Sequence, residues 1–200
     1  MAHKGDRNSR YFQQRANICR KKKLVHKLKH ECGQWLDNQQ DITSKFISDY
    51  TTRFKTARTL HQDFSRIQVT SKVSQIDNIM LTRIPYMIEV KDALLTIDSI
   101  KTQGPDGFGA GFFKHYWDII KTDFYQCVAE FFKHGKLLKQ INHTFITLIT
   151  KRDNPFKTHH YRPISLCNTV YKTISKIIVN RLRPLLDNLI SPLQSAFIPG

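Results

Sequence analysis

The chain is short of acidic residues, of clustered cysteines and of long apolar runs, and each shortage excludes a class of protein. Asp and Glu number 16 against 32 Lys and Arg, so the 200 residues carry a formal charge of +16. The four cysteines lie far apart and lack standard zinc spacing, which predicts a reduced intracellular protein with no metal site. The sequence does not distinguish a nuclear from a cytoplasmic location. No stretch approaches the roughly 18–20 apolar residues that cross a bilayer, so no membrane partner is expected.

The positive charge is concentrated towards the two ends of the chain. Residues 1–35 contain ten basic and two acidic residues, a net +8, and residues 141–200 contain eight and two, a net +6. The middle, 36–140, is close to neutral at +2. This distribution favours a nucleic-acid partner over a surface that is charged only for solubility, although the second interpretation stays open.

The first basic segment predicts a helix over residues 6–23 with a thin apolar stripe. Such a helix could lie along a phosphate backbone, or it could simply be solvated. The residues proposed for this electrostatic contact are Arg7, Arg10, Arg15, Lys21, Lys22 and Lys23.

The next part of the chain predicts a small hairpin that turns near Gly33, followed by a helix over residues 39–57. Apolar residues at four-residue steps along this helix are expected to be buried in the protein core. They are Ile42, Phe46, Tyr50 and Phe54. A connector should follow, with one short helix near residues 73–80.

The sequence Gly104-Pro105-Asp106-Gly107 separates two helical stretches. An amphipathic helix is predicted over 89–100, and two glycines and a proline in four residues dictate a tight turn. A dense aromatic stripe over 112–132 is expected to be core, with a new helix starting at Thr122 or Asp123 and ending before Gly135. Gly109 and Gly111 should loosen the start of this stretch, each by about 1 kcal/mol if it lies in a helix interior.

The second basic segment predicts a hairpin and then a long helix. One strand should end near Lys151, a turn follows at 153–155, and a second strand covers 161–166, with Pro163 indicating an edge position. Asn168 is a plausible N-cap for the helix after it, and Pro184 should kink or end that helix.

The cationic residues of this last helix fall on two different sides of it. Lys172, Lys176 and Arg183 fall along one edge, whereas Arg181 falls among the apolar residues. Because a buried lone charge is costly, Arg181 must meet a carboxylate, a backbone carbonyl or a ligand phosphate. A basic hairpin followed by a basic-edged helix could surround a polyanion.

Three motifs in this order resemble the reverse transcriptases of non-LTR, LINE-type retrotransposons of the plant kind. They are GDRNSRYF at 5–12, GPDGFGAGFFKHYWDII at 104–120, and the stretch beginning YRPISLC at 161 and ending at 200. The resemblance implies the fingers region of an RNA-directed DNA polymerase, with RNA, an RNA–DNA hybrid and a deoxynucleoside triphosphate as partners.

The resemblance also implies site residues. Lys151 and Arg162 fall where the fingers clasp the incoming triphosphate, although Thr150 stands where the family usually has proline. Template or primer contacts are expected from the turn, from the helix edge and from the last segment. They are Gly104, Asp106, Gly107, Lys172, Lys176, Arg181, Gln194 and Phe197.

The resembled enzymes use two aspartates to hold Mg²⁺, and the first of these should follow Gly200. We therefore assign no catalytic residue, and we expect the chain alone to be inactive. The predicted organisation is a preceding piece at 1–60, a connector at 61–85 and the fingers region at 86–200. The predicted fold class is α+β, predominantly helical, with a small antiparallel sheet. Two alternatives stay open: a non-catalytic nucleic-acid-binding module, and a relic that aggregates or binds proteins through uncovered apolar surface.

Overall fold

The computed structural model describes residues 24–55 and 73–190 of the chain. The predicted helix at 6–23 with its six basic contact residues, most of the connector, and the contacts assigned to Gln194 and Phe197 lie outside these residues. The described residues are mostly helical, with two small antiparallel sheets, which confirms the predicted fold class.

The chain divides into two units that are not consecutive in sequence. Of the described residues, 24–55 and 148–164 form one, here called the hairpin unit, and 73–147 and 165–190 form the other, the helical unit. The predicted organisation used consecutive segments, whereas here the tip of the second hairpin belongs with the N-terminal part of the chain.

The hairpin unit begins with a short antiparallel pair. Strand β1 covers Leu28–Lys29 and β2 covers Trp35–Leu36, with Leu28 opposite Leu36. Gly33 turns the chain with φ of +92°, a conformation in which a side chain would be strained, so the predicted hairpin is confirmed.

Helix α1, Gln39–Phe54, follows, and the Asn38 side chain caps it by accepting the Gln40 N–H at 3.0 Å. Its predicted apolar face is buried as far as Tyr50, but Phe54 is 60% exposed. Because the helix ends at Phe54, that ring stacks on Tyr50 at 5.9 Å instead of entering the core. The core residues of this unit are Leu28, Ile42, Phe46, Tyr50 and Tyr161.

The second hairpin consists of β3, Thr144–Thr150, and β4, Tyr161–Cys167, with a 3₁₀ turn at Thr158–His160. The Lys151 N–H donates to the His160 carbonyl at 2.8 Å, which places these two residues opposite each other. Counting along the strands then places Thr150 opposite Tyr161. In a sheet of two strands β4 is an edge strand, so the predicted position of Pro163 is confirmed.

The helical unit contains six of the described helices. They are α2 Gln75–Thr82, α3 Met87–Thr96, α4 Ala110–His115, α5 Trp117–His134, α6 Lys139–Asn142 and α7 Thr169–Leu189. Their buried core contains residues from α3, α5 and α7. It consists of Val90, Ala93, Leu94, Trp117, Phe124, Val128, Ile174 and Ile177.

Two predicted helix boundaries were wrong, those of α3 and α5. Helix α3 ends at Thr96 instead of Ile100 because the Asp98 carboxylate accepts the Ile100 N–H at 2.9 Å and holds a turn there. Helix α5 begins at Trp117, five residues before the expected start, after a break at Tyr116 with φ −98° and ψ 20°. Helix α7 runs through Pro184 and ends at Leu189.

The break at Tyr116 also changes what the aromatic stripe does. Trp117 and Phe124 are buried as predicted, but Phe112 and Tyr116 are 37% and 43% exposed. One helical periodicity does not run through the interruption, so the stripe is only partly core. Gly109 is the N-cap of α4 and Gly111 lies in its first turn, so neither glycine is in a helix interior and the predicted interior cost does not apply.

Among the described residues, no helix is long and apolar enough to cross a membrane.

Candidate nucleic-acid interface

The turn at 104–107 is closed by its own backbone. The Gly107 N–H donates to the Gly104 carbonyl at 3.1 Å, and Gly107 has φ of +75°. The Asp106 carboxylate accepts the Phe108 N–H at 3.0 Å, as expected for an aspartate in a turn. The residue types that predicted the turn therefore act as predicted.

Gly104 lies against the start of α7 with no space for a side chain. A Cβ atom there would lie 2.2 Å from the Asn168 side-chain oxygen and 2.5–2.6 Å from the backbone of residues 167 and 168. Any larger residue must push apart two backbone segments. Gly104 thus has a packing role that the turn motif alone does not reveal.

Asn168 occupies the N-cap position of α7, as predicted, but its side chain does not cap that helix. Its oxygen accepts the Asp106 N–H at 3.2 Å, and its NH₂ group donates to the carbonyls of Gln140 and Ile141 at 3.1 and 3.2 Å. Asn168 is 4% exposed. It therefore ties the turn and the end of α6 to the start of α7.

Two further hydrogen bonds fix the same junction. The Thr169 hydroxyl, fully buried, donates to the Phe108 carbonyl at 3.0 Å. The Lys172 ammonium donates to the Thr102 carbonyl at 2.6 Å. The loop at 102–108 is consequently held to the first turn of α7 on both sides of the tight turn.

A groove of about 370 Å³ opens beside this junction. Three lysines line it: Lys172 and Lys176, one helical turn apart on α7, and Lys101 from the loop before the turn. Hydroxyl groups of Tyr171 and Ser175 belong to the same wall. The described lining contains no carboxylate, so the groove offers cations and hydrogen-bond donors, which suits a phosphate backbone.

Arg181 has a structural role on the same helix. Its guanidinium donates to both Glu89 oxygens at 2.7 and 3.1 Å and to the carbonyls of Leu81 and Arg83 at 3.0 and 2.7 Å. Its side chain is 7% exposed. The prediction that Arg181 must be paired is confirmed, and these partners are inside the helical unit, so we do not place Arg181 in the candidate interface.

Arg181 also perturbs its partner. Burial raises the pKa of Glu89, but the hydrogen bonds and charges of Arg181 and Arg83 lower it more, so that the net pKa lies below the ordinary value. Glu89 is therefore a stable anion in the folded unit.

The hairpin unit contains the other pair of predicted site residues. Lys151 directly follows β3, Arg162 is the second residue of β4, and the backbone bond from Lys151 to the His160 carbonyl places both residues at the loop end of the hairpin. Both residues are exposed, and within the described residues neither forms an ion pair. The Lys151 ammonium donates to the His159 carbonyl at 2.8 Å.

The cations of this hairpin act on His160, which is 8% exposed. Burial lowers the pKa of His160, and the positive charges of His159, Arg152, Lys157 and Lys151 lower it further. The neutral ring accepts the Phe156 N–H at its Nδ1 atom, at 3.2 Å. The loop is therefore held by a neutral histidine in a strongly positive environment.

The structure brings the predicted residues together in two groups. Gly104, Asp106 and Gly107 meet the helix that carries Lys172 and Lys176, and Lys151 and Arg162 both lie at the loop end of the second hairpin. Sequence reasoning missed Lys101 and Tyr171, which carry no motif, and the cross-links of Asn168, whose partners are distant in sequence. Within residues 24–55 and 73–190, no group of three or more His, Cys, Asp or Glu side chains is arranged to hold a metal ion.

No protein-family model matches the chain. Over 112 residues it is 34% identical to the Transposon TX1 uncharacterized 149 kDa protein of Xenopus laevis. That similarity covers 56% of this chain and 9% of the Xenopus protein, so the chain spans less than a tenth of the relative that it matches. The similarity supports a transposon origin for this chain.

Proposed function

We propose that the chain is the fingers region of a non-LTR retrotransposon reverse transcriptase, and that it binds an RNA template or RNA–DNA hybrid together with a deoxynucleoside triphosphate. The transposon similarity supports the origin, and the motifs at 5–12, 104–120 and 161–200 support the type of enzyme. Mg²⁺ would accompany the triphosphate in the intact enzyme.

One observation supports the nucleotide-binding part of the proposal: Lys151 and Arg162 are exposed cations at the loop end of one hairpin. Lysine acts as a point charge and arginine as a bidentate fork, and a triphosphate presents acceptors for both.

Triphosphate binding tests this proposal directly. Binding of a fluorescent deoxynucleoside triphosphate should weaken by about tenfold or more in Lys151→Ala and in Arg162→Ala, because each charge-assisted bond contributes about 1.5–3 kcal/mol. Binding of the corresponding monophosphate should change much less. The control is Lys121→Ala, which removes the same charge from the surface of α5, where Lys121 pairs weakly with Asp118 at 3.9 Å.

The three-lysine groove favours a second candidate, a nucleic-acid-binding module without nucleotide chemistry. That function requires the groove but neither Lys151 nor Arg162. Loss of RNA binding in Lys172→Ala and Lys176→Ala, with triphosphate affinity equal in wild type, Lys151→Ala and Arg162→Ala, would favour the module and count against the polymerase-derived function.

A further inference from the structure

A second cavity, of about 770 Å³, lies in the hairpin unit between β2 and the loop at 152–156. Two aromatic rings form part of its wall. Trp35 is 53% exposed, and its ring centroid lies 6.2 Å from that of Phe156 with the planes inclined by 55°. The volume is within the range of cavities that hold small organic ligands.

One cation lies beside each ring. The Lys29 ammonium lies 5.8 Å from the centre of the Trp35 ring, and the Arg152 guanidinium lies 5.7 Å from the centre of Phe156. Lys27 and Arg152 line the cavity, whereas Lys29 lies beside the Trp35 ring outside the lining, and Asp153 is the one carboxylate in the described lining. An exposed indole beside several cations is the combination that binds a base by stacking and its phosphates by charge.

The backbone holds these rings in place without a ligand. Trp35 is directly opposite Lys29 in the β1–β2 pair. The Lys29 N–H donates to the Phe156 carbonyl at 2.6 Å, while the Phe156 N–H donates to His160. The two rings are therefore on connected backbone segments, and a ligand meets a surface that is already formed, which lowers the entropic cost of binding.

We infer that this cavity binds one unpaired nucleobase of a single-stranded nucleic acid, with Trp35 as the stacking surface and Lys27, Lys29 and Arg152 facing the adjoining phosphates. The inference rests on the proposed function in that it takes nucleic acid as the ligand. It adds a base-stacking site whose lining includes neither Lys151 nor Arg162.

The test compares two labelled oligonucleotides of about ten nucleotides, one with bases and one with abasic sugars on the same phosphate backbone. Trp35→Ala should weaken binding of the base-containing strand by about 5- to 150-fold, the range measured for loss of one base–aromatic stack. Trp35→Phe should keep most of the affinity. The abasic strand should bind wild type and Trp35→Ala equally and weakly.

A matched control is Tyr86→Ala, which removes an aromatic side chain that is 67% exposed and has the Arg83 guanidinium 4.7 Å from its ring, but lies in the helical unit. This variant should bind both strands as wild type does. Circular dichroism checks that Trp35→Ala is folded, which is expected because the side chain is largely exposed. If it were unfolded, the abasic strand and Trp35→Phe still decide the question.

Intrinsic fluorescence gives a second readout. The chain has two tryptophans, and Trp117 is buried in the helical unit at 7% exposure. Quenching by the base-containing strand should therefore come from Trp35 and disappear in Trp35→Phe. Equal binding of the abasic and base-containing strands by wild type would overturn the inference and leave the proposed function standing, whereas no binding of either strand would overturn both.

Discussion

Replacing Arg181 by methionine removes the charge that connects three elements of the helical unit. The guanidinium bonds the Leu81 and Arg83 carbonyls at the end of α2, the Glu89 carboxylate of α3, and lies 4.9 Å from the Phe132 ring of α5. Methionine keeps the length and apolar stem of the side chain. The substitution therefore tests the polar contacts more than the packing.

The size of the effect follows from what remains after the substitution. Removing one partner of a fully buried ion pair costs about 3–5 kcal/mol, because the other charge stays buried. Here the Glu89 side chain is 23% exposed and keeps an ion pair with Arg83 at 3.0 Å, which reduces the cost. The two carbonyls lose their donor but can bind water. We expect the free energy of unfolding of the helical unit to fall by about 2–3 kcal/mol.

Urea unfolding followed by Trp117 fluorescence measures this quantity, since Trp117 belongs to the core that α3, α5 and α7 share. The experiment uses a Trp35→Phe background so that the hairpin unit contributes no tryptophan signal. Arg181→Lys, which keeps the charge but loses the planar fork, should lie between wild type and Arg181→Met.

The pH dependence supplies an internal check. The pKa of Glu89 is lower in the folded unit than its ordinary value of 4.5, so its contribution is present above pH 4.5 and is lost as the pH falls through the folded pKa. The deficit of Arg181→Met should therefore be largest near pH 7 and shrink in acid. A deficit below about 0.5 kcal/mol at pH 7, the size typical of a surface substitution, would refute this account of how the helices are joined.

Three further predictions concern the two units separately. Gly104→Ala should destabilise the helical unit by about 3 kcal/mol in urea unfolding, since the new methyl group meets backbone atoms. In the control Gly109→Ala, the nearest neighbour of the new methyl group lies at 3.8 Å, and stability should change by less than about 0.5 kcal/mol. Equal effects of the two substitutions would contradict the packing argument. The pKa of His160 is lower in the folded hairpin unit than its ordinary 6.5, so the thermal stability of that unit should fall as the pH drops below 6.5, and His160→Gln should remove this dependence. Lys172→Ala and Lys176→Ala should each reduce the slope of log affinity for single-stranded RNA against log salt by about 0.7, and an unchanged slope would exclude the groove as a phosphate site.

Local patterns in the sequence predicted the elements whose causes are local. The apolar periodicity of α1 and α7, the glycine at 33 and the hairpin strands around 153–155 each depend on neighbouring residues, and all appear where expected. The break at Tyr116 was missed because the aromatic stripe continues through it without a proline or glycine. The end of α3 was missed because Asp98 stops the helix by bonding a backbone amide, although its side chain fits a helical pattern equally well.

The candidate site likewise contains features with local causes, which could be predicted, and features that depend on distant residues. The basic edge of α7 could be predicted, since helical spacing decides which side chains share a face. The remaining features depend on contacts between residues far apart in sequence. Lys101 joins the groove through the fold alone, and Trp35 meets Phe156 across more than a hundred residues. No spacing in the chain indicates either contact.

Asn168 shows why these long-range contacts matter for binding a polyanion. A capping asparagine would satisfy its own helix and leave the loop at 102–108 loosely attached, whereas here its side chain bonds the Asp106 amide and the carbonyls before β3. The fixed loop presents the Thr102 carbonyl, which holds the Lys172 ammonium at 2.6 Å. An ammonium has three donors, so one bond to the protein leaves two for phosphate. Because the Lys172 side chain is already ordered, it loses less entropy when it binds a phosphate. Asn168 thereby favours binding at the groove, although it does not line the groove itself.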